Sequence, residues 1–395
     1  MRGYVARGTW QYDPTLYAPP KYRRACSYEA FVPDSLAELS LTLPGEIAAI
    51  VSDAEKAIAD LNAPASSALA PLGRLLLRTE SIASSKVEGL QVDARAIGRA
   101  EGNLAAGRKA GPEAIEVLAN IAAMELAVEN ATSSRALEPA DLDAIHRVLT
   151  ERDKRIRAPG TIRQEQNWIG GNDYNPCDAD YVPPPPEEVG CLIADLCAFS
   201  TTDDLPPLVQ AAIAHAQFET IHPYVDGNGR TGRALVQVIL RRRGLAPAYV
   251  PPISVVLAQR KAAYIRGLET FREDDRNGWL ETFASAAAEA SLLALRYRGR
   301  VLALQEEWRR LLRDHSNPRE DAAAWTAIDV LPAHPVATIA VLVAATRRSH
   351  PAVSNAVREL EAAGILLPLG GGRWNRAWEA EGLLDLIAGL EAGEG

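Results

Sequence analysis

The sequence predicts a mainly α protein in three parts: a helical N-terminal region, a helical core carrying a short β-hairpin flap, and a separate C-terminal module. Three observations support this. Ala and Leu dominate over β-branched residues, which favours helices. Apolar residues recur at helical spacing through most of the chain. A turn-rich stretch ending in four prolines breaks that run near residues 160–189, and the composition changes again near "RDHSNPRED", residues 313–321.

Composition bounds the reading. At 395 residues the chain is long enough for two or three domains. With 47% apolar and 24% charged residues it has the usage of an ordinary globular protein. A net charge of -9 argues against a protein that coats nucleic acid, and leaves room only for a local basic patch. The four cysteines, Cys26, Cys177, Cys191 and Cys197, show no spacing of a metal site or a disulfide framework, so unpaired thiols in a reducing compartment are expected. The N-terminus lacks the apolar stretch of a signal peptide and no later run is long enough to span a bilayer, which predicts a cytoplasmic protein with no membrane partner.

In chain order, residues 1–36 are rich in Tyr, Pro and Arg without a sustained period and read as an arm draped over a neighbouring surface. Residues 37–112 form a helical region, with one helix in "LPGEIAAIVSDAEKAIADLN" and another in "APLGRLLLRTESIASSKVEGL" that stops at Gly89. Residues 113–300 form the core, centred on 137–288, with helices at about 113–132, 139–152, 187–199, 206–221, 256–272 and 277–314. Within it, "QNWIGGNDY" and the return through "YVPPPP" read as the flap. Residues 315–395 form the last domain.

The chemistry concentrates in "IHPYVDGNGRTGRALVQVIL", residues 221–240. Gly227 and Gly229 flank Asn228 just ahead of a helix expected to begin near Arg230, so main-chain N–H groups converge with the positive end of a helix dipole. Arg230 and Arg233 lie on the first helical turn, and their forked donors suit phosphate oxygens. Asp226 beside this nest is a hard oxygen ligand for a magnesium ion that bridges phosphates. His222 ends the preceding helix because Pro223 disfavours helical geometry before it, and a neutral imidazole there is a competent general base. Tyr224 is expected to anchor the loop in the core. No GK[ST] follows the glycines and no strand precedes them, so neither a Walker A loop nor a dinucleotide fingerprint fits.

"HPYVDGNGRTGR" resembles the HPFx[DE]GNGRxxR signature of Fic-domain proteins, with Tyr224 where Phe is usual. The resemblance covers most of residues 37–290. It implies a helical Fic core that transfers AMP from ATP to a Ser, Thr or Tyr hydroxyl of a target protein, releasing pyrophosphate, with ATP and Mg2+ as cofactors. His222 would be the base, Asp226 the metal ligand, and Gly227, Asn228, Gly229, Arg230, Thr231, Gly232 and Arg233 the ATP-binding stretch. "SIASSKVEGL" resembles the inhibitory pattern [ST]xxxE[GN] of the class whose inhibitory helix precedes the motif, with Ser84 and Glu88 on one helical face. The implied brake is Glu88 paired with Arg233, and the same carboxylate would serve AMP removal in a bifunctional member. The flap would hold the target by main-chain pairing, with Ile169 and Gly170 beside the nucleotide. Tyr264 stands where family members carry tyrosines near the adenine, and its helical period is equally explained by packing. A homodimer is implied as well.

The C-terminal stretch "ATIAVLVAATRRSHPAVSNAVRELEAAGILLPLGGGRWNRAWEA" resembles a winged helix-turn-helix. Between Val336 and Trp378 it has five Arg (347, 348, 358, 373 and 376) against two Glu (359 and 361), a net charge of +3 in an acidic chain. His350, Ser354, Asn355 and Arg358 are the candidate groove contacts. The alternative function is therefore a DNA-binding regulator whose Fic domain is regulatory or self-modifying. A related Fic chemistry with a different donor is a third reading.

Overall fold

A computed structural model describes residues 3–15, 17–63, 70–105, 107–131, 136–369 and 376–393. The chain forms two compact units of interleaved segments. Met1–Val51, Leu126–Arg243 and Ala262–Ala284 build the first; Ser52–Glu125, Gly244–Lys261 and Ser285–Gly395 build the second.

The elements follow the helical pattern. After strands β1 (Tyr4–Trp10) and β2 (Cys26–Val32) come α1 (Gly45–Asn62), α2 (Ala70–Val87), α3 (Ala94–Ala105), α4 (Pro112–Asn130) and α5 (Pro139–Thr150). Next are α6 (Pro186–Phe199), α7 (Pro207–Ile221), α8 (Asn228–Arg242), α9 (Ile253–Gln259), α10 (Lys261–Arg272) and α11 (Arg276–His315). The C-terminal part holds α12 (Ala323–Val330), β3 (Val336–Thr338), α13 (Ile339–Thr346), α14 (His350–Ala362), β4 (Leu366–Leu369), β5 (Ala377–Ala380) and α15 (Leu383–Ala392). Proline opens α4, α5, α6 and α7, where its missing N–H is no loss and its fixed φ suits the helix. The single helix expected over 256–272 is two, because Arg260 leaves helical geometry at φ -111° and ψ 35°.

In the first unit, α7 and α8 are buried along almost their whole length. A helix apolar on one stripe only cannot be covered all round, and α7 is Ala-rich enough to be surrounded. Gly232 permits a close approach: a Cβ there would lie 2.7 Å from Glu219 Oε1 and 2.9 Å from Phe218 Cδ1.

Two expectations are corrected here. The N-terminal arm is an antiparallel hairpin, β1 against β2, in the register Tyr4↔Val32 to Trp10↔Cys26. Its Gly8 lies opposite Tyr28, whose ring fills the space a Cβ would need. Conversely, the expected flap hairpin is a single bridge, Ile169↔Tyr181, with no strand in that segment. Gly170 and Gly171 take φ of 75° and 73° and curl the chain immediately after Ile169. Side chains then take the polar groups a ladder would use: Asn172 Oδ1 accepts from the N–H groups of Tyr174 and Asn175 at 2.9 and 3.0 Å.

The arm does lie on a neighbour, and the neighbour is this flap. Trp10 meets Trp168 edge to face at 5.3 Å, Tyr22 stacks on Tyr174 at 5.2 Å, and Phe31 N–H donates to Val182 O at 3.0 Å. Cys26 and Cys177 form a disulfide, correcting the expectation of unpaired thiols. Their separation of 151 residues carries no local pattern; the hairpin and the flap must first meet in space.

In the second unit, α2 is buried with several polar residues satisfied internally. Glu80, 1% exposed, accepts from Ser254 N–H at 2.8 Å and Ser254 Oγ–H at 2.6 Å, which caps α9. Asn120 donates to Ser81 O and Ser85 Oγ at 2.7 and 3.0 Å. The sheet order is β3-β5-β4, antiparallel throughout. Gly98 of α3 lets β3 approach, since a Cβ there would lie 2.3 Å from Val336 Cγ2. The Gly-Gly-Gly turn and Arg373 lie outside the described residues. No helix among the described residues is long and apolar enough to cross a membrane.

Candidate active site

The polar motif is the link between α7 and α8. α7 stops at His222, which adopts the left-handed region at φ 50° and ψ 61° while its N–H still donates to Phe218 O at 2.9 Å. Few non-glycine residues sit there, and such strain persists only where the surroundings hold it. Gly227, at φ 79°, then turns the chain into α8, which begins at Asn228, two residues ahead of the expected start.

Several side chains hold this link, among them Asn167, which donates to Tyr224 O at 3.0 Å. Arg163, 2% exposed, donates from Nε to His222 O at 2.9 Å and from its terminal nitrogens to the carbonyls of Glu165, Pro184 and Ile221 at 3.2, 2.5 and 3.4 Å. Its own N–H donates to Pro223 O at 2.9 Å. Burial lowers the guanidinium to about 10, so it stays charged at neutral pH. His146 stacks on Tyr224 with ring centroids 3.8 Å apart. Because Gly160 N–H donates to its Nδ1 at 3.0 Å, the ring proton sits on Nε2 and donates to Asp226 O at 2.9 Å. Burial pushes His146 down to about 4, which keeps it neutral in that tautomer.

Tyr224 is buried, as expected, and its hydroxyl donates to Asp143 Oδ1 at 2.9 Å; burial and the Asp143 charge raise it far above an ordinary phenol. Asn228 closes the loop on itself, accepting from Tyr224 N–H and donating to Tyr224 O, both at 2.8 Å. Its side chain is thus committed to shaping the link.

Around that frame, Asp226 is exposed, and both its described side-chain contacts fall on Oδ1: Gly227 N–H at 2.6 Å and Arg230 Nη2 at 4.0 Å. Arg230 and Arg233 are buried, at 7% and 2% exposure. Thr231 faces inward, its hydroxyl donating to Gly227 O at 2.9 Å, and Gly229 is half-buried. Within the first unit, Asp226, Arg230 and the positive end of α8 thus follow His222 in one short link. Ile169 is 39% exposed and Gly170 follows it at positive φ. Tyr264 is 4% exposed, its hydroxyl 2.9 Å from His215 Nε2, so its described contacts are those of core packing.

Ser84 and Glu88 belong to the second unit. Ser84 is fully buried on α2, whereas Glu88 is exposed just past its end, where Leu90 N–H and Gly89 N–H return to Ser85 O and Lys86 O at 3.1 and 2.9 Å.

Among the described residues no group of three or more His, Cys, Asp or Glu could enclose a metal. One exposed carboxylate at the N-terminal end of a helix nevertheless fits Mg2+, which keeps several waters and is held by one or two carboxylates plus substrate phosphates.

The sequence reading missed Arg163 and His146. His146 had a legible sign, because it shares the buried face of α5 with Leu142, Ile145 and Leu149, where a polar residue needs a reason. Arg163 had none: it lies outside any helix or strand, so no period marks it as buried.

Residues 136–240 match the Fic/DOC family and residues 49–129 match the Fic/DOC family N-terminal region. The protein adenylyltransferase Fic of Drosophila willistoni is 32% identical over 119 residues, which cover 29% of this chain and 21% of that protein. That of Drosophila melanogaster is 31% identical over 119 residues, with the same coverages. The chain thus spans about a fifth of the length of these relatives. A Fic family protein of Desulfovibrio desulfuricans G20 superposes with a TM-score of 0.54 at 22% identity, covering 87% of this chain and 98% of that one. A Fic domain containing signaling protein of Bacteroides thetaiotaomicron VPI-5482 gives 0.51 at 20% identity, covering 63% and 97%.

Proposed function

We propose, for a chain whose residues 136–240 belong to the Fic/DOC family and whose residues 49–129 carry that family's N-terminal region, that it is a protein adenylyltransferase. The observation that carries this is the α7–α8 link: a histidine whose main-chain carbonyl Arg163 holds at the helix end, followed in the same link by an exposed carboxylate and two arginines on the first turn of α8.

His222 takes the proton of a Ser, Thr or Tyr hydroxyl of the target. A bond forms between that oxygen and the α-phosphorus of ATP, the bond to the bridging oxygen of the β-phosphate breaks, and pyrophosphate leaves. Arg230, Arg233 and the N-terminal amides of α8 receive the phosphate charge. Asp226 would hold Mg2+, which supplies charge neutralisation between phosphates when bound. Ile169, exposed but with its main chain bonded to Tyr181, and Gly170 after it would lie beside the bound nucleotide and target. Glu88 competes with the γ-phosphate for Arg233: opposite charges at 4 Å attract by about 4 kcal/mol at an effective dielectric of about 20, before desolvation.

Incubation with α-labelled and with γ-labelled ATP tests this directly. Label from the α position is expected on protein, lost by roughly 100-fold or more in His222→Ala and raised in Glu88→Gly. Label from the γ position on protein would refute AMP transfer. Equal rates for wild type and Glu88→Gly would remove the brake while leaving the transfer. A cytoplasmic homodimer belongs to the same reading. Light scattering tests the dimer. The Cys26–Cys177 bond bears against the location, since disulfides persist in oxidising compartments, and cell fractionation decides it.

A second reading rests on the C-terminal elements. α13 and α14, joined through Arg347 at φ 56° and followed by β4 and β5, have the order of a winged helix-turn-helix. Arg347, Arg348, His350, Asn355 and Arg358 are exposed, as groove-facing residues must be, and Ser354 is half-buried. Retention of sheared genomic DNA at low salt supports a DNA-binding regulator; no retention removes it.

A further inference from the structure

A cavity of about 440 Å3 lies within the second unit, lined by α2, α3, the segment Ala333–Thr338 and α13. Its size is that of a small-molecule site. One wall is charged. Arg74 and Arg78 stand four residues apart on α2, hence on one face. Arg78 has a side chain 8% exposed and binds Glu101 through both terminal nitrogens at 2.7 and 2.9 Å. A guanidinium has five N–H groups, and that pairing uses two. Arg74 is exposed, and its Nε meets Glu125 at 3.2 Å in an open ion pair that competes weakly with a ligand. Much of the remaining lining is apolar, including Val336, Val341 and Ala345.

His334 lines the cavity as well. Burial first, then the charges of Arg74 and Arg78, hold it down to about 4, against a smaller opposing effect of Glu101. The field in the cavity is therefore positive on balance, although one carboxylate lines it.

The geometry points to a binding site for a small organic anion whose carboxylate or phosphate head meets Arg74 and Arg78 and whose apolar body lies on Val336, Val341 and Ala345. The site is separate from the α7–α8 link and independent of nucleotide chemistry. It stands on α2, whose last residue, Val87, directly precedes Glu88 and lies nine residues along the helix from Arg78.

Calorimetric titration of the full chain without ATP tests it, using benzoate, phenyl phosphate, inorganic phosphate and neutral benzamide. One saturable site is expected for an aromatic anion, and the tighter of the two heads identifies a carboxylate or a phosphate ligand. Inorganic phosphate and benzamide should each bind at least about tenfold more weakly. Arg74→Gln, at an exposed position that leaves the fold intact, should weaken the aromatic anion by about tenfold. Ala345→Phe, which fills the apolar wall, should abolish binding with the melting transition retained. Absence of saturable binding by both aromatic anions overturns the site. So does benzamide or inorganic phosphate binding as tightly, or binding unchanged in both variants. None of these outcomes bears on labelling by ATP, so this inference and the adenylyltransferase reading fail separately.

Discussion

Arg163 serves several carbonyls with one side chain, and His222 depends on it. A buried carbonyl left without a donor costs about 1–3 kcal/mol, and a buried charged network that loses a member costs more. Arg163→Gln removes the fork from four main-chain oxygens at once. We expect a loss of about 3–5 kcal/mol in urea unfolding, together with a fall in kcat as the strained turn at His222 relaxes. A loss under about 1 kcal/mol would show that water or neighbouring groups replace the guanidinium without strain. Gly232 makes the opposite argument from space. A methyl group there would press on Glu219 and Phe218 in a close contact of α7 with α8, so Gly232→Ala should cost about 1–3 kcal/mol by overpacking. A neutral or stabilising result, as expected of an exposed helical glycine, would disprove the tight contact.

At the scale of elements, the N-terminal hairpin and the flap form one packed piece. Two aromatic pairs, one main-chain bond and the Cys26–Cys177 disulfide join them. Closing a chain loop of 151 residues restricts the unfolded state strongly, whatever else the bond does. Cys177→Ser should therefore lower stability by about 2–5 kcal/mol in the absence of reductant, and should lose that difference from wild type when dithiothreitol is added. Equal stability in oxidising buffer would show that the aromatic contacts hold the hairpin alone. The flap itself owes its shape to Gly170 and Gly171, whose positive φ angles end pairing after one bridge and leave Ile169 exposed.

At the scale of the molecule, each unit holds a histidine that its surroundings keep neutral, the buried His146 in the first and the half-buried His334 in the second. Both are depressed from about 6.5 to about 4, burial being the first cause. The sign follows: between these values the unfolded chain binds the proton and the folded chain does not, so stability is full above pH 6.5 and falls as pH drops toward 4. Thermal unfolding across that window should show the slope reduced in His334→Gln. An unchanged slope would place the proton uptake elsewhere. Charge at this scale is uneven, with -9 on the chain and +3 between Val336 and Trp378, and it makes any contact of that segment with an acidic partner salt-dependent.

Local information in the chain determined a great deal. Helical periodicity and proline punctuation located most helices to within a few residues, because each helix satisfies its main chain from its own segment. The motif from His222 to Arg233 was legible for the same reason: its parts are neighbours in sequence. The hairpin β1–β2, the bridge that replaced the expected flap, and the Cys26–Cys177 pair were decided by tertiary structure. So were the Arg163 and His146 supports under the active loop, and the cavity facing Arg74 and Arg78. Each of these joins residues far apart along the chain, and no period or spacing carries that information. Burial, hydrogen-bond satisfaction and close packing impose it only when the helices have met.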